Sequence, residues 1–221
     1  MQSPDHAVLK PMALNEGILD VAQMATGVAL ILFMWSHMML VASVNLGSGV
    51  MNAIGKFLED YYLAQTGGPA VGLLFLLHFA LAARKIPFRA AEQSAMWRHS
   101  RRFQHTDTWL WVVQAVTGMV ILVMGSIHMW TVLTSLPITA GRSAFRIQGG
   151  WWLLFYMVLL PTVEFHVGIG LYRIAVKWGF VASRQRSYLK SMENRVTLAF
   201  IVVGAITLFT FYVIITAAMN P

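Results

Sequence analysis

Four histidines lie within long apolar segments of the chain, where an imidazole can either hydrogen-bond a neighbouring helix or bind a metal. They are His37, His78, His128 and His166. A single buried histidine more often makes a hydrogen bond between helices. Four of them, one in each of four successive segments, favour metal binding.

The segments that carry these histidines predict a membrane protein. Residues of the hydrophobic class make up 57% of the 221 residues and charged residues only 11%. Five segments are nearly free of charge, and each covers the roughly 20 residues that a helix needs to cross a bilayer. We therefore predict an all-α, single-domain bundle of five transmembrane helices over residues 1–221, with helices at about residues 18–44, 70–86, 107–133, 150–179 and 196–219.

The link after the first helix predicts an amphipathic interfacial helix and then a turn over Thr66–Pro69. The fifth helix lacks histidine and charge, which predicts a scaffold or a lipid-facing wall.

The basic residues predict the orientation of these helices. Twelve lysines and arginines lie in the links after the second and fourth helices, within residues 84–102 and 173–195, and only three lie in the other two links. By the positive-inside rule the N-terminus is cytoplasmic. This distribution also accounts for the net charge of +7 without nucleic-acid binding. The basic face could dock an acidic soluble partner or anchor to lipid headgroups, and both alternatives stay open.

The depth of each histidine in its helix predicts two pairs. His78 and His166 each precede a basic residue at the inner end of their helix by seven positions, which places both about 10 Å from that end. His37 and His128 lie on helices that run outward, about 25 to 30 Å from the inner boundary. The first pair thus shares an inner level and the second an outer level.

Two imidazoles that face each other at one depth can bind both axial positions of a haem iron. Two such pairs would hold two stacked haems and form an electron path across the membrane. The chain has no cysteine, so it can neither attach haem through thioethers nor bind an iron–sulfur cluster through thiolates, and the haems would be of b type. Zinc is less favoured because no carboxylate or third histidine converges at either level.

An internal repeat links the first and third helices. Glutamine, Thr-Gly and His-Met recur at the same offsets in both, as Gln23, Thr26, Gly27, His37 and Met38, and as Gln114, Thr117, Gly118, His128 and Met129. The repeat predicts that the two helices do equivalent work. Each glycine lies about 15 Å from its histidine along the axis, so we interpret it as a notch for close packing of a helix or a flat cofactor.

Taken together, these residues resemble the di-haem cytochrome b membrane subunit of bacterial succinate:quinone oxidoreductases and quinol:fumarate reductases, the type with one polypeptide and five helices. The most specific motifs are Gln23–Gly27, Gly125–His128, and Glu164–His166 followed by Gly170–Gly179. The similarity runs from about Val21 to the end of the fifth helix.

The resemblance implies roles for the histidines and for residues around them. His78 and His166 would bind the inner haem, and His37 and His128 the outer haem. Positions near the haem propionates or edges correspond to Gln23, His105, Trp111, Arg146 and Lys177. Without the resemblance, Trp111 would be an aromatic residue of the membrane interface and Lys177 a snorkelling lysine, and these alternatives stay open.

Two carboxylates complete the candidate site. The family has a quinol-site glutamate in a Lys-Phe-Glu sequence, whereas this chain has Lys56-Phe57-Leu58-Glu59, so Glu59 is the candidate and Asp60 the alternative. Glu164 points about 200° away from His166 on its helix and is not a ligand on the same face. It could be a protonated acid hydrogen-bonded to another helix, whereas the resemblance supports proton transfer beside the haems.

The resemblance implies a membrane-anchor subunit of a fumarate reductase or succinate dehydrogenase complex in the bacterial inner membrane. Electrons would pass between menaquinone or menaquinol and partners that interconvert fumarate and succinate: a flavoprotein with FAD and a cytoplasmic iron–sulfur subunit. It also allows a dimer of heterotrimers. A cytochrome b anchor of a hydrogenase or formate dehydrogenase is an alternative, disfavoured by the order of one ligand per helix and by the fifth helix. A transporter or scaffold without haem is another.

Overall fold

The computed structural model describes residues 12–87, 89–103 and 106–219, which contain helices and no strand. His105 lies outside these residues. The helices are α1 (Met12–Ala42), α2 (Ser48–Asp60), α3 (Leu63–Ala83), α4 (Ala90–Phe103), α5 (Thr106–Leu133), α6 (Ala140–Gln148), α7 (Trp151–Lys177) and α8 (Arg186–Met219), with short 3₁₀ turns at Ser43–Leu46 and Ser183–Gln185.

Within these ranges, five helices are long and apolar enough to cross a membrane, namely α1, α3, α5, α7 and α8. The prediction of an all-helical bundle with five spans is therefore confirmed. The helix predicted in the link after the first span is present as α2.

The second span begins at Leu63, seven residues earlier than predicted. The predicted turn over Thr66–Pro69 is wrong, because these residues lie inside α3 and the chain reverses at Tyr62, which has a left-handed φ of 57°. A Cβ on Gly68 would collide with the side chain of Leu133 on α5. The glycine thus serves close packing of two helices and not a turn.

The fifth span begins at Arg186, ten residues earlier than predicted. The fifth span was predicted to begin at residue 196, directly after the last charged residue, but Lys190 and Glu193 form an ion pair inside α8. The side chain of Glu193 is only 4% exposed. Because the charges are paired, the helix continues through them. The expectation of a fifth helix without charge holds only for its outer part.

The four helices that carry the histidines form a ring. Helix α1 packs against α3, α3 against α5, α5 against α7, and α7 contacts α1, while α8 packs outside against α7 and α6. At one end, Asp20 of α1 pairs with Arg84, Lys85 and Lys177, which joins the ends of α3 and α7 to the start of α1. The other end is closed by α2, α6 and a small apolar core around Met51. We call the Asp20 end the inner end.

Candidate cofactor site within the ring of four helices

The ring encloses a cavity of about 1820 Å³. This is larger than the roughly 300–1,000 Å³ of a pocket for one small ligand, so the cavity has room for more than one cofactor. The four histidines predicted as ligands all line it, and so do Gln23, Trp111, Arg146, Glu164 and Lys177. Glu59 does not line the cavity, although its neighbour Leu58 does.

The inner histidines are held by the helices that face them. The Oγ1 atom of Thr26 on α1 lies 3.0 Å from Nδ1 of His78. The Oγ1 atom of Thr117 on α5 lies 3.1 Å from Nδ1 of His166, and the backbone oxygen of Gln114 lies 3.0 Å from the same nitrogen. The two inner histidines therefore have equivalent partners, one on each of the repeated helices.

The glycines of the repeat contact the same rings. A Cβ added to Gly27 would lie 3.0 Å from Cε1 of His78, and one added to Gly118 would lie 3.0 Å from Cε1 of His166. Both distances are shorter than ordinary carbon contacts. The predicted notch is thus present, and it accommodates an imidazole from the neighbouring helix.

The outer histidines face each other directly. The ring centres of His37 and His128 are 5.8 Å apart, with 60° between their planes. Two imidazole nitrogens that each lie about 2 Å from a shared metal place their ring centres roughly 6 Å apart. His128 also has a hydrogen-bond partner, because the Tyr156 hydroxyl lies 3.1 Å from its Nδ1 atom. The ring spacing of the outer pair is thus compatible with two axial ligands of one metal, as it is with ordinary edge packing of two rings.

The two pairs occupy separate levels. Thr26, which contacts an inner histidine, precedes His37 by 11 residues, and Thr117 precedes His128 by the same number. Eleven helical residues rise about 16 Å. The threonines that contact the inner histidines therefore lie about 16 Å from the outer histidines along α1 and α5.

The inner end of the cavity suits an anionic group. Lys177 lies 2.5 Å from Asp20 and also borders the cavity with Trp111. Three cations at this end face two carboxylates, those of Asp20 and Glu16, which leaves one positive charge in excess. The Oε1 atom of Gln23 is buried and has no hydrogen-bond partner in the described part of the chain. The excess positive charge fits a carboxylate-bearing cofactor, to which the amide nitrogen of Gln23 could donate a hydrogen bond.

Two arginines of the outer end, Arg142 and Arg146, line the cavity, and the loop after α5 holds both of them. A guanidinium nitrogen of Arg146 lies 2.6 Å from the Ser135 hydroxyl, to which it donates. The Arg146 guanidinium lies near the Tyr156 hydroxyl, which contacts His128. A cation and an outer ligand are thereby placed together.

The two candidate carboxylates differ in their surroundings. Glu164 is 5% exposed and lines the cavity, and within residues 12–87, 89–103 and 106–219 no hydrogen bond reaches its carboxyl. The alternative role of Glu164, a protonated acid that is hydrogen-bonded to another helix, therefore has no such hydrogen bond within these residues. Glu59 accepts a hydrogen bond from the backbone N–H of Ile138, whereas Asp60 is exposed and pairs with Lys56 at 2.8 Å.

Several residues of the site were not identified from the sequence. The sequence indicates Thr26 and Thr117 only as parts of the repeat, and Asp20 only as a marker of the inner boundary. Tyr156 had no signal, because its contact to His128 joins two helices. In the described ranges, no three histidine, cysteine, aspartate or glutamate side chains converge to hold a metal ion, so the histidines offer two nitrogens at each level.

Comparison with known proteins places these features in context. The family described as succinate dehydrogenase/fumarate reductase transmembrane subunit matches residues 90–216. The chain is 36% identical over 200 residues to the fumarate reductase cytochrome b subunit of Helicobacter pylori, covering 86% of this chain and 78% of that protein. It is 36% identical over 203 residues to the protein of the same name from Wolinella succinogenes, covering 86% and 79%. It is 23% identical over 185 residues to the succinate dehydrogenase cytochrome b558 subunit of Bacillus subtilis, covering 81% and 89%.

Proposed function

Because this chain belongs to the succinate dehydrogenase/fumarate reductase transmembrane subunit family, we propose that it binds two b haems through its two histidine pairs. It is a multi-pass membrane subunit of a fumarate reductase or succinate dehydrogenase complex and serves the quinone-reactive electron transfer of that complex. The dicarboxylate reaction takes place on a flavoprotein, which works with an iron–sulfur subunit. Family membership favours this function over an anchor of a hydrogenase or formate dehydrogenase.

The observation that carries the proposal is the arrangement of histidines at two levels in one cavity. His78 and His166 would hold the inner haem, and His37 and His128 the outer haem. A bound b haem supplies a one-electron carrier whose iron alternates between ferric and ferrous states. Two levels about 16 Å apart divide a hydrocarbon core of about 30 Å into short steps.

Polar residues at the two ends of the cavity would hold the propionates. Gln23 and Lys177 serve the inner haem, since the amide donates a hydrogen bond and the ammonium supplies charge. Trp111 lines the same cavity and would pack against the inner haem, and Arg146 would serve the outer haem. His105 keeps its proposed place near a propionate on the resemblance alone.

Quinone chemistry would take place near the outer level, beside α2. Oxidation of menaquinol would release two electrons, which pass toward the iron–sulfur partner, and two protons, one of which Glu59 would accept at its carboxylate while water at the outer surface takes the other. The hydrogen bond from the Ile138 N–H holds this carboxylate in place. Glu164 would carry protons within the membrane, because its carboxyl faces the cavity without a fixed partner.

The inner end would face the cytoplasm and the iron–sulfur partner. Helix α4 presents the exposed residues Arg98, Arg101 and Arg102 in the link that follows the inner end of α3. This basic face can attract an acidic protein surface and anionic lipid headgroups. The subunit would lie in the bacterial inner membrane with its N-terminus in the cytoplasm, and the complex could form a dimer of heterotrimers.

Purification of the tagged chain from its own membranes tests the proposal. We expect a flavin-bearing and an iron–sulfur subunit to accompany it, a b-type band in the reduced-minus-oxidised spectrum, and quinol-dependent reduction of fumarate or succinate-dependent reduction of quinone. Purified chain without a b-type band would contradict the haem assignment. A b-type band without either partner would contradict the proposed complex.

A further inference from the structure

We propose that Thr26 and Thr117 are positioning residues that fix the tautomer and ring orientation of the inner ligands His78 and His166, and thereby set the reduction potential of the inner haem. The inference rests on the proposed function, because it takes the inner histidines as haem ligands. It assigns work to the Thr-Gly part of the repeat, which the electron path itself leaves without a role.

The hydrogen bonds of each threonine determine the direction of its contact with the histidine. Thr26 Oγ1 lies 2.9 Å from the backbone oxygen of Ala22, and Thr117 Oγ1 lies 2.7 Å from that of Val113. A hydroxyl has one proton and two lone pairs. When the proton goes to the carbonyl of the preceding turn, only lone pairs are left for the imidazole. The hydroxyl therefore accepts from Nδ1–H.

A second acceptor strengthens this assignment for His166. The backbone oxygen of Gln114 lies 3.0 Å from His166 Nδ1 and cannot donate a hydrogen bond. Nδ1 must then carry the proton, and Nε2 is the nitrogen left to bind iron. The contact of His78 with Thr26 has nearly the same length, 3.0 Å against 3.1 Å, so we assign both inner histidines the same tautomer.

The adjacent glycines fix the orientation of the rings. Gly27 and Gly118 leave just enough room for Cε1, the carbon between the two ring nitrogens. Each inner imidazole is thus held at Nδ1 by a hydroxyl and at Cε1 by a backbone surface, and both contacts come from consecutive residues of one helix. We name this pair of contacts the Thr-Gly clamp.

Each Thr-Gly clamp lies on a helix that carries an outer ligand, but it contacts an inner ligand on the neighbouring helix. Helix α1 carries the outer ligand His37, yet its Thr-Gly clamp holds the inner ligand of α3. Helix α5 carries the outer ligand His128, yet its clamp holds the inner ligand of α7. A change at either threonine should therefore alter the inner haem, although both threonines lie on helices whose own histidines belong to the outer haem.

Removal of a clamp hydroxyl should raise the potential of the inner haem. Donation of Nδ1–H to an acceptor makes the imidazole a stronger base, which favours ferric over ferrous iron. Loss of a hydrogen-bond partner behind a ligand commonly changes metal affinity or activity by about 10–100-fold, and we take the lower end of that range for the ratio of ferric to ferrous iron. A tenfold change in the ferric to ferrous ratio at fixed ambient potential corresponds to about 59 mV for a one-electron couple.

The test uses five variants in the purified complete complex, and one of them, His78→Ala, identifies the redox component of the inner haem. Thr26→Val and Thr117→Val remove the hydroxyl at nearly constant volume, and Thr26→Ser restores it. Thr66→Val is the matched control, because the Thr66 hydroxyl also bonds the carbonyl of the preceding turn, at 2.7 Å, but is exposed. Redox titration of the b-type band and electron paramagnetic resonance of the ferric haems report on each haem separately.

We expect Thr26→Val to shift the component that is lost in His78→Ala upward by roughly the tenfold ratio given above. Thr117→Val should shift the same component upward by less, because the Gln114 backbone oxygen still accepts from His166 Nδ1–H. The other component, the serine variant and the control should match the wild type. Loss of the inner component in Thr26→Val, together with its retention in Thr26→Ser, would equally support the clamp.

Three results would overturn the inference: unchanged potential and resonance signals in both valine variants, a shift confined to the other component, or a serine variant that behaves like valine. In each case two haems are still detected in the wild type, so the proposed function survives. Absence of haem from the wild-type complex would instead refute the proposed function itself.

Discussion

A methyl group added at Gly27 should displace the inner ligand His78 while leaving the outer haem in place. In Gly27→Ala the new Cβ would lie 3.0 Å from Cε1 of the ring, and ordinary contact begins at 3.4 Å. The imidazole must therefore move by about 0.4 Å, close to the 0.5 Å within which a functional ligand has to be held. Overpacking of this kind costs about 1–3 kcal/mol. At 1.4 kcal/mol for each factor of ten, affinity for the inner haem should fall about 5- to 150-fold.

Haem content per polypeptide, measured by the pyridine haemochrome spectrum of the purified protein, is the assay. Gly17→Ala is the matched control, because Gly17 lies on the same helix and a Cβ there meets nothing within 4 Å. We expect about one haem per chain in Gly27→Ala and two in the control. Two haems with unaltered spectra in Gly27→Ala would refute the reasoning, and so would loss of the outer haem.

Three further predictions concern other parts of the site. Glu164→Gln should keep both haems and slow quinol-dependent turnover by at least about tenfold; unchanged turnover would show that the carboxyl carries no protons. Tyr156→Phe removes the hydrogen bond to His128 and should weaken binding of the outer haem by about 1 kcal/mol. The outer haem should then be released at a lower temperature on heating, whereas earlier release of the inner haem would contradict this prediction. Gly55→Ala would drive a methyl group into the backbone oxygen of Ile138 and should lower stability by about 1–3 kcal/mol. An unchanged melting temperature would contradict that packing.

The levels of the histidines could be predicted because they depend on local geometry alone. A helix rises by a fixed distance per residue, and the basic residues give its direction, so position in the sequence converts directly into depth. That conversion places His37 and His128 at one depth, and in the structure their rings are in contact. Ligation of iron by either pair stays a prediction.

The partners of the histidines could not be predicted, because they join distant parts of the chain. Thr26 contacts a histidine 52 residues away, and Thr117 one 49 residues away. The repeat showed that these positions matter, but it could not show what they touch. Helix rotation about its own axis decides that, and apolar segments carry little periodicity from which to infer rotation.

The first residues of the second and fifth spans could not be predicted for a related reason. Glycine and proline near Gly68 read as a turn when the neighbouring helix is unknown. Charges such as Glu193 read as the end of a span when their partners are unknown. In both places an interaction within the folded chain reverses the local preference.

The most direct test of the account is haem stoichiometry combined with redox titration in four single variants, His37→Ala, His78→Ala, His128→Ala and His166→Ala. We expect two haems per chain in the wild type and one in each variant. His78→Ala and His166→Ala should lose one and the same redox component, and the other two variants should lose the second. A wild type with fewer than two haems, or loss of the same component in His78→Ala and His37→Ala, would contradict it.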